Sequence, residues 1–166
     1  MNPNFALDFS IDKSTSTIHI KRNFNAGLDV VWSAWTVAEL RDQWWAPGPW
    51  KAKTKEHNFV NGGHWLYAML GPQGEVAWCR FDYDTIHPLI SYNGTDSFCD
   101  EHGQINDKFP SSFWQNQFSE QGSITSVTIT IKNDSMASIE QFIAMGFKEG
   151  FTMALENLDR LLAKGV

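Results

Sequence analysis

Residues 134–165 read DSMASIEQFIAMGFKEGFTMALENLDRLLAKG, and this stretch decides the fold. Apolar side chains recur at Ile139, Phe142, Ile143, Phe147, Phe151, Ala154, Leu155, Leu158, Leu161 and Leu162. That is the three- and four-residue spacing of one helical face, and it predicts one long terminal helix over 135–163. Asp134 or Ser135 can cap its start, Lys164 suits its last turn, and Gly165 can end it. The segment is too charged and amphipathic to span a membrane. Gly146 and Gly150 fall four apart inside it, each costing about 1 kcal/mol relative to alanine. Such a cost implies close approach to one helix face, either by a sheet or by a ligand. On that reading a bulky residue at Gly146 would block whatever lies there.

Upstream of this helix the pattern has period two. Runs at 5–11 and 17–24 alternate apolar and polar residues and can pair as a hairpin, the first being an extra strand or a loose arm over 1–16. Asp29 is placed to cap a short helix through Val30-Val31-Trp32-Ser33-Ala34-Trp35-Thr36, and a second follows over 39–45, ended by Pro47-Gly48-Pro49. Further strands are predicted over 51–59, 64–70, 76–86, 89–98, 111–119 and 123–132. The turns between them are short, Asn61-Gly62-Gly63 and Glu120-Gln121-Gly122 among them, as an antiparallel meander requires. Residues 99–110, CDEHGQINDKFP, read as a polar, mobile loop. No repeat or linker divides the chain, so one domain over 1–166 is expected. A strand, two short helices, a run of antiparallel strands and a long helix make an α+β fold, a curved sheet wrapped around the helix. The space between them becomes a cavity.

Composition narrows the function. Net charge is −6 with no basic run, which argues against nucleic acid. Residues 1–12 carry neither a basic region nor an apolar run, so no secretory signal is read there. Cys79 and Cys99 make no disulfide framework and fit a reducing cytoplasm as free thiols. Eight tryptophans and twelve phenylalanines are a heavy aromatic load, which suits a core and an apolar ligand pocket alike.

Several runs together resemble a known family. They are Arg22-Asn23-Phe24-Asn25-Ala26-Gly27, Val31-Trp32-Ser33-Ala34-Trp35-Thr36, Glu39-Leu40 and Trp44-Trp45-Ala46-Pro47. Gly62-Gly63-His64-Trp65-Leu66-Tyr67-Ala68-Met69, Gly71-Pro72-Gln73-Gly74, Met145-Gly146-Phe147 and Leu155-Glu156-Asn157-Leu158 complete the set. From about Ile18 to the end, the chain is similar to single-domain bacterial START-like (SRPBCC) proteins related to the activator of the ninety-kilodalton heat-shock protein's ATPase. The resemblance implies the helix-grip fold, a deep cavity between sheet and C-terminal helix, and hydrophobic or amphipathic small-molecule ligands. Some relatives are cyclases or dehydratases. Co-chaperone members carry an additional N-terminal domain, where this chain has only a short arm before Ile18.

Candidate chemistry is sparse. The five histidines show no metal spacing, and Cys99, Asp100, Glu101 and His102 read as a solvated loop rather than a metal site. No cofactor motif is present. The expected cavity wall comprises Trp45, Trp65, Tyr67, Met69, Trp78, Arg80, Trp114, Phe142, Met145, Gly146 and Met153. Tyr67 and Arg80 would supply its polar groups. The face of the strand at 76–86 stays open: Trp78, Arg80 and Asp82 inward would give a polar pocket able to do acid–base work, Cys79, Phe81 and Tyr83 inward a nearly apolar one. Three functions follow in order: a cytoplasmic binder of a small hydrophobic or amphipathic molecule, a cyclase- or dehydratase-type enzyme, and a chaperone-interacting module. A homodimer is compatible with each.

Overall fold

Alternation along β2 (Thr17–Phe24) turns Ile18, Ile20, Arg22 and Phe24 to one face, and all four are buried. β2 pairs with β1 (Asp8–Asp12) on one side and with β8 (Ile124–Lys132) on the other. β3 (Lys51–His57), β4 (His64–Leu70), β5 (Val76–His87), β6 (Ser91–Cys99), β7 (Ser112–Gln121) and β8 run as the expected meander. The result is one antiparallel sheet in the order β1-β2-β8-β7-β6-β5-β4-β3. The computed structural model describes residues 5–166, so the first four residues of the expected arm lie outside it.

The sheet curves at two register shifts, between Thr54 and Glu56 and between Tyr83 and Thr85. At the second, β6 presses on β5 so closely that a Cβ on Gly94 would stand 2.1 Å from the Asp82 carbonyl oxygen. Glycine is therefore required there. Leu89 and Ile90, expected to begin β6, belong instead to the turn over 88–90 that precedes it. Residues 99–110, expected as a mobile loop, are held against the outer face. Asn106 N–H donates to the Phe98 carbonyl at 2.9 Å, and Lys55 Nζ to the Glu101 carbonyl at 2.7 Å.

Between β2 and β3 lie α1 (Leu28–Thr36) and the short α2 (Ala38–Arg41). Asp29 does not cap α1; it stands in the first turn, and Glu120 of β7 takes the Leu28 N–H at 2.8 Å. α2 ends before the expected residue 45, in turns that bring Trp44 and Trp45 inward. Trp35 is fully buried, with Trp44, Phe118 and Trp45 ring centroids at 4.8, 5.8 and 6.0 Å.

The long terminal helix is two helices, α3 (Met136–Ala144) and α4 (Phe147–Ala163). Ser135 caps α3, accepting from the Ser138 N–H. The chain breaks at Gly146, whose φ of +88° is left-handed, a conformation that costs glycine little. Apolar periodicity runs through the break, so pattern alone does not show it. The two glycines also fail to mark a close sheet. Nothing lies within 4 Å of a Cβ built on Gly146, and the nearest atom to one on Gly150 is Pro47 Cγ at 3.6 Å. Backbone conformation explains Gly146, and any side chain there is strained whatever the space around it.

α4 lies on the inner face of the sheet through Phe151, Ala154, Leu155, Leu158 and Leu161, all buried. Two polar ties fix it. Buried Arg22 of β2 grips Asp159 with both guanidinium nitrogens, and Asn157 Nδ2 donates to the Ala46 carbonyl at 3.0 Å. A bidentate Arg–carboxylate pair sets orientation as well as distance.

Trp35→Ala should lower stability by about 3–5 kcal/mol, read as a reduced urea midpoint. Trp35 Nε1 has no partner among the described residues, so Trp35→Phe should retain most of that stability. A loss below about 1 kcal/mol for the alanine variant would contradict the packing described.

Candidate functional site

Sheet curvature and the break between α3 and α4 leave a cavity of about 260 Å³. Its sheet wall is built by period two from four adjacent strands: Tyr67 and Met69 of β4, Ala77 and Cys79 of β5, Asp96 and Phe98 of β6, and Trp114 of β7. The registers Tyr67↔Cys79 and Cys79↔Phe98 place these residues side by side. The roof is Phe142 of α3, Met145 and Gly146 at the break, and Phe147, Gly150 and Phe151 of α4; Trp45 and Pro47 close the side. Trp45, Trp114, Phe147 and Phe151 form one aromatic cluster, with Trp114 5.9 Å from Phe151 and 6.1 Å from Phe147.

Of the residues expected from sequence, Trp45, Tyr67, Met69, Trp114, Phe142, Met145 and Gly146 border this space. Trp65 stands behind the wall, buried and stacked on Tyr67 at 3.7 Å. Met153 does not border the cavity; it is exposed on α4. Trp78 and Arg80 do not border it either, because β5 turns Cys79, Phe81 and Tyr83 inward and Trp78, Arg80 and Asp82 outward. Arg80 is engaged there by Asp82, at 2.9 Å through Nε, and by the Gly103 carbonyl at 2.7 Å. The open choice for this strand thus resolves to its less polar face.

Besides Arg22, a second guanidinium is buried on the inner side, that of Arg41 of α2, which sequence reading passed over. It is 1% exposed, with its carbon 3.7 Å from the Trp65 ring centroid and 4.6 Å from that of Trp45. Nη1 donates to the Tyr83 hydroxyl at 3.3 Å and Nη2 to the Tyr92 hydroxyl at 3.1 Å. Burial pushes its pKa down, but the Tyr92, Tyr83 and Tyr67 phenols more than offset that, so the charge is kept. Beyond it, His57 Nε2 lies 2.9 Å from the Tyr83 hydroxyl. Burial, then Arg41, push His57 down to about 4, so the ring is neutral and accepts from that hydroxyl.

The carboxyl of Asp96 is the other missed group. Among the described residues it is the only charged one bordering the cavity, and it also borders a smaller space of about 40 Å³ beside Ser112, Trp114 and Phe142. Among the described residues it makes no hydrogen bond and no ion pair. Burial holds its pKa up at about 7, with Arg41 pulling it partly back. The available signal was period two in β6, which sets Tyr92, Gly94, Asp96 and Phe98 on one face. An acid between such neighbours faces inward.

The remaining polar atoms are neutral. The Tyr67 hydroxyl accepts from Trp45 Nε1 at 3.0 Å, and burial raises its pKa well above the ordinary phenol range. Burial likewise raises the Cys79 thiol, so it is no ready nucleophile. No cluster of three potential metal ligands occurs among the described residues, and no helix there is long and apolar enough to cross a membrane.

The raised carboxyl has a definite stability signature. Folded Asp96 keeps its proton to about pH 7, while an unfolded aspartate loses it near 3.8. The folded state therefore binds the extra proton between these values, and Asp96 reduces stability as pH rises through that window. Asp96→Asn should match the wild type below about pH 4 and exceed it above about pH 7. The gain should be about 2 kcal/mol, discounted from the roughly 4 kcal/mol of the full difference because the carboxyl borders open space. His57 shifts in the opposite sense, so the difference between the two proteins, by denaturant titration across pH, isolates Asp96. A pH-independent difference would contradict the assignment.

The sequence model described as Activator of Hsp90 ATPase homolog 1-like protein matches residues 25–163. No curated protein matches the chain. Among solved structures, the crystal structure of Ms6760 from Mycobacterium smegmatis is 26% identical and superposes with a TM-score of 0.87, over 95% of this chain and 97% of that one. A solution structure from Arthrobacter aurescens is 27% identical with a TM-score of 0.89, over 96% and 92%. The AHSA1 protein of Silicibacter pomeroyi, 17% identical with a TM-score of 0.70 over 90% and 99%, shares the fold. The fold is the helix-grip arrangement, and with the match spanning α1 to α4 the chain belongs to the Activator of Hsp90 ATPase homolog 1-like family.

Proposed function

We propose that this protein binds a small hydrophobic or amphipathic molecule, without covalent chemistry, in the cavity between the sheet and α3–α4. The observation that carries this reading is the space itself: about 260 Å³ among aromatic and methionine side chains that do not interlock across it. Protein interiors are otherwise close-packed, and an opening of this size lined by large apolar side chains leaves apolar surface facing water, which is unfavourable. Met69 and Met145 give the wall adaptable thioether surface. A cavity with a few polar groups is the usual form of a ligand site.

A second reading is favoured by one group. An unpartnered carboxyl with a pKa of about 7 is suited to proton transfer near neutral pH, so Asp96 is the residue on which an enzyme of cyclase or dehydratase type would depend. Arg80 and Asp82 are not candidates, since they bond to each other on the outer face. The chaperone activity in the family's name would need a docking surface on the outside of the fold, apart from the cavity.

Binding of a lipophilic probe such as naphthalene should quench tryptophan fluorescence, because Trp45 and Trp114 border the space. Gly150→Leu is the informative variant: α4 accepts leucine there, gaining about 1 kcal/mol of helix propensity, while the side chain fills the cavity. The variant should melt no lower than the wild type and lose the quench. A wild type that takes up no apolar probe would remove this reading.

A further inference from the structure

The charge pattern of the cavity names a ligand class, on the reading that the cavity is a ligand site. We infer that it takes an amphipathic organic amine, its ammonium against the Asp96 carboxylate and its apolar body among Trp45, Trp114 and Phe147. Asp96 is the only charged residue bordering the space and has no hydrogen bond or ion pair among the described residues. A carboxylate left so is costly, and the cost is relieved by a ligand that brings a charged donor. The nearby positive charge is not offered to the ligand. Arg41 does not border the cavity, and it is occupied by Tyr83, Tyr92 and the faces of Trp45 and Trp65. An anionic ligand would therefore meet only the carboxylate, and a neutral donor would give it a hydrogen bond but no compensating charge.

Two further observations agree. The walls present tryptophan, tyrosine and phenylalanine rings, whose faces attract cations, strongly so when desolvated. The chain as a whole carries a net charge of −6, which raises the local concentration of cations.

The preference should depend on pH through Asp96. The titratable and charged groups around it are Tyr67 of β4, Cys79 of β5, Arg41 of α2 and, on β6 itself, Tyr92 and Cys99. Burial keeps both thiols and both phenols protonated at neutral pH, raising Cys99 to about 11, and Arg41 stays charged. The roof from α3 and α4 contributes Phe142, Met145, Gly146, Phe147, Gly150 and Phe151, none of which titrates.

Calorimetric titration with phenethylamine, phenethyl alcohol and hydrocinnamate provides the test, since the three share an aromatic body and differ in charge. At about pH 8 the amine should bind the wild type at least about tenfold more tightly than the alcohol, with the carboxylate weakest. Asp96→Asn should abolish the preference while still binding the alcohol, which shows that the cavity is intact. Asp96→Glu should restore much of it. Equal affinities in the wild type, a preference for hydrocinnamate, or a preference that survives in Asp96→Asn would overturn the amine assignment and leave the cavity reading standing. No binding of any of the three to either protein would overturn both.

Discussion

A buried guanidinium organises the inner half of this sheet. Arg41 is almost wholly removed from water with no carboxylate bonded to it. Its charge is held by two phenol oxygens and two indole faces, and each of these groups is placed by a different element: Trp45 after α2, Trp65 on β4, Tyr83 on β5 and Tyr92 on β6. Removing any one would leave a buried charge undersolvated, which is costly. The arrangement therefore ties the short helices to the middle of the sheet, and Tyr83 passes it on to His57, whose ring is kept neutral by burial first and by Arg41 second.

That arrangement decides what the cavity can offer. The positive charge is committed to the Tyr83 and Tyr92 hydroxyls and to the faces of Trp45 and Trp65. The cavity's sheet wall carries one carboxyl and otherwise neutral groups, and its roof is apolar. The roof can stand off from the sheet because the terminal helix turns at Gly146 instead of lying straight along it. Arg22 with Asp159, and Asn157 with Ala46, hold α4 down at its far end. Fixed contacts at one end and a break at the other leave the space between.

Much of the architecture was legible in the sequence because period two and period 3.6 separate strands from helices cleanly. The strands of the meander are found within a few residues of where the alternation places them. The helix break was not legible, since Phe142, Ile143, Phe147 and Phe151 keep helical spacing across a backbone that turns. Gly146 was noticed, but its cost was ascribed to close packing rather than to a left-handed φ. At the site, Tyr67, Met69 and Trp114 were readable from strand alternation. Arg80 is the guanidinium the sequence suggests because a long strand displays its charges plainly, whereas Arg41 lies at the end of a four-residue helix with no periodicity to orient it. Asp96 was hidden in SYNGTDSFC, a strand whose small polar residues blur its two faces.

The most direct measurement is the titration of the Asp96 carboxyl carbon by NMR, in the free protein and with phenethylamine bound. The expected result is a midpoint of about 7 in the free protein, moving to lower pH when the ammonium is present. A midpoint near the ordinary aspartate value of about 4, unchanged by the amine, would contradict a desolvated acid waiting in an apolar cavity.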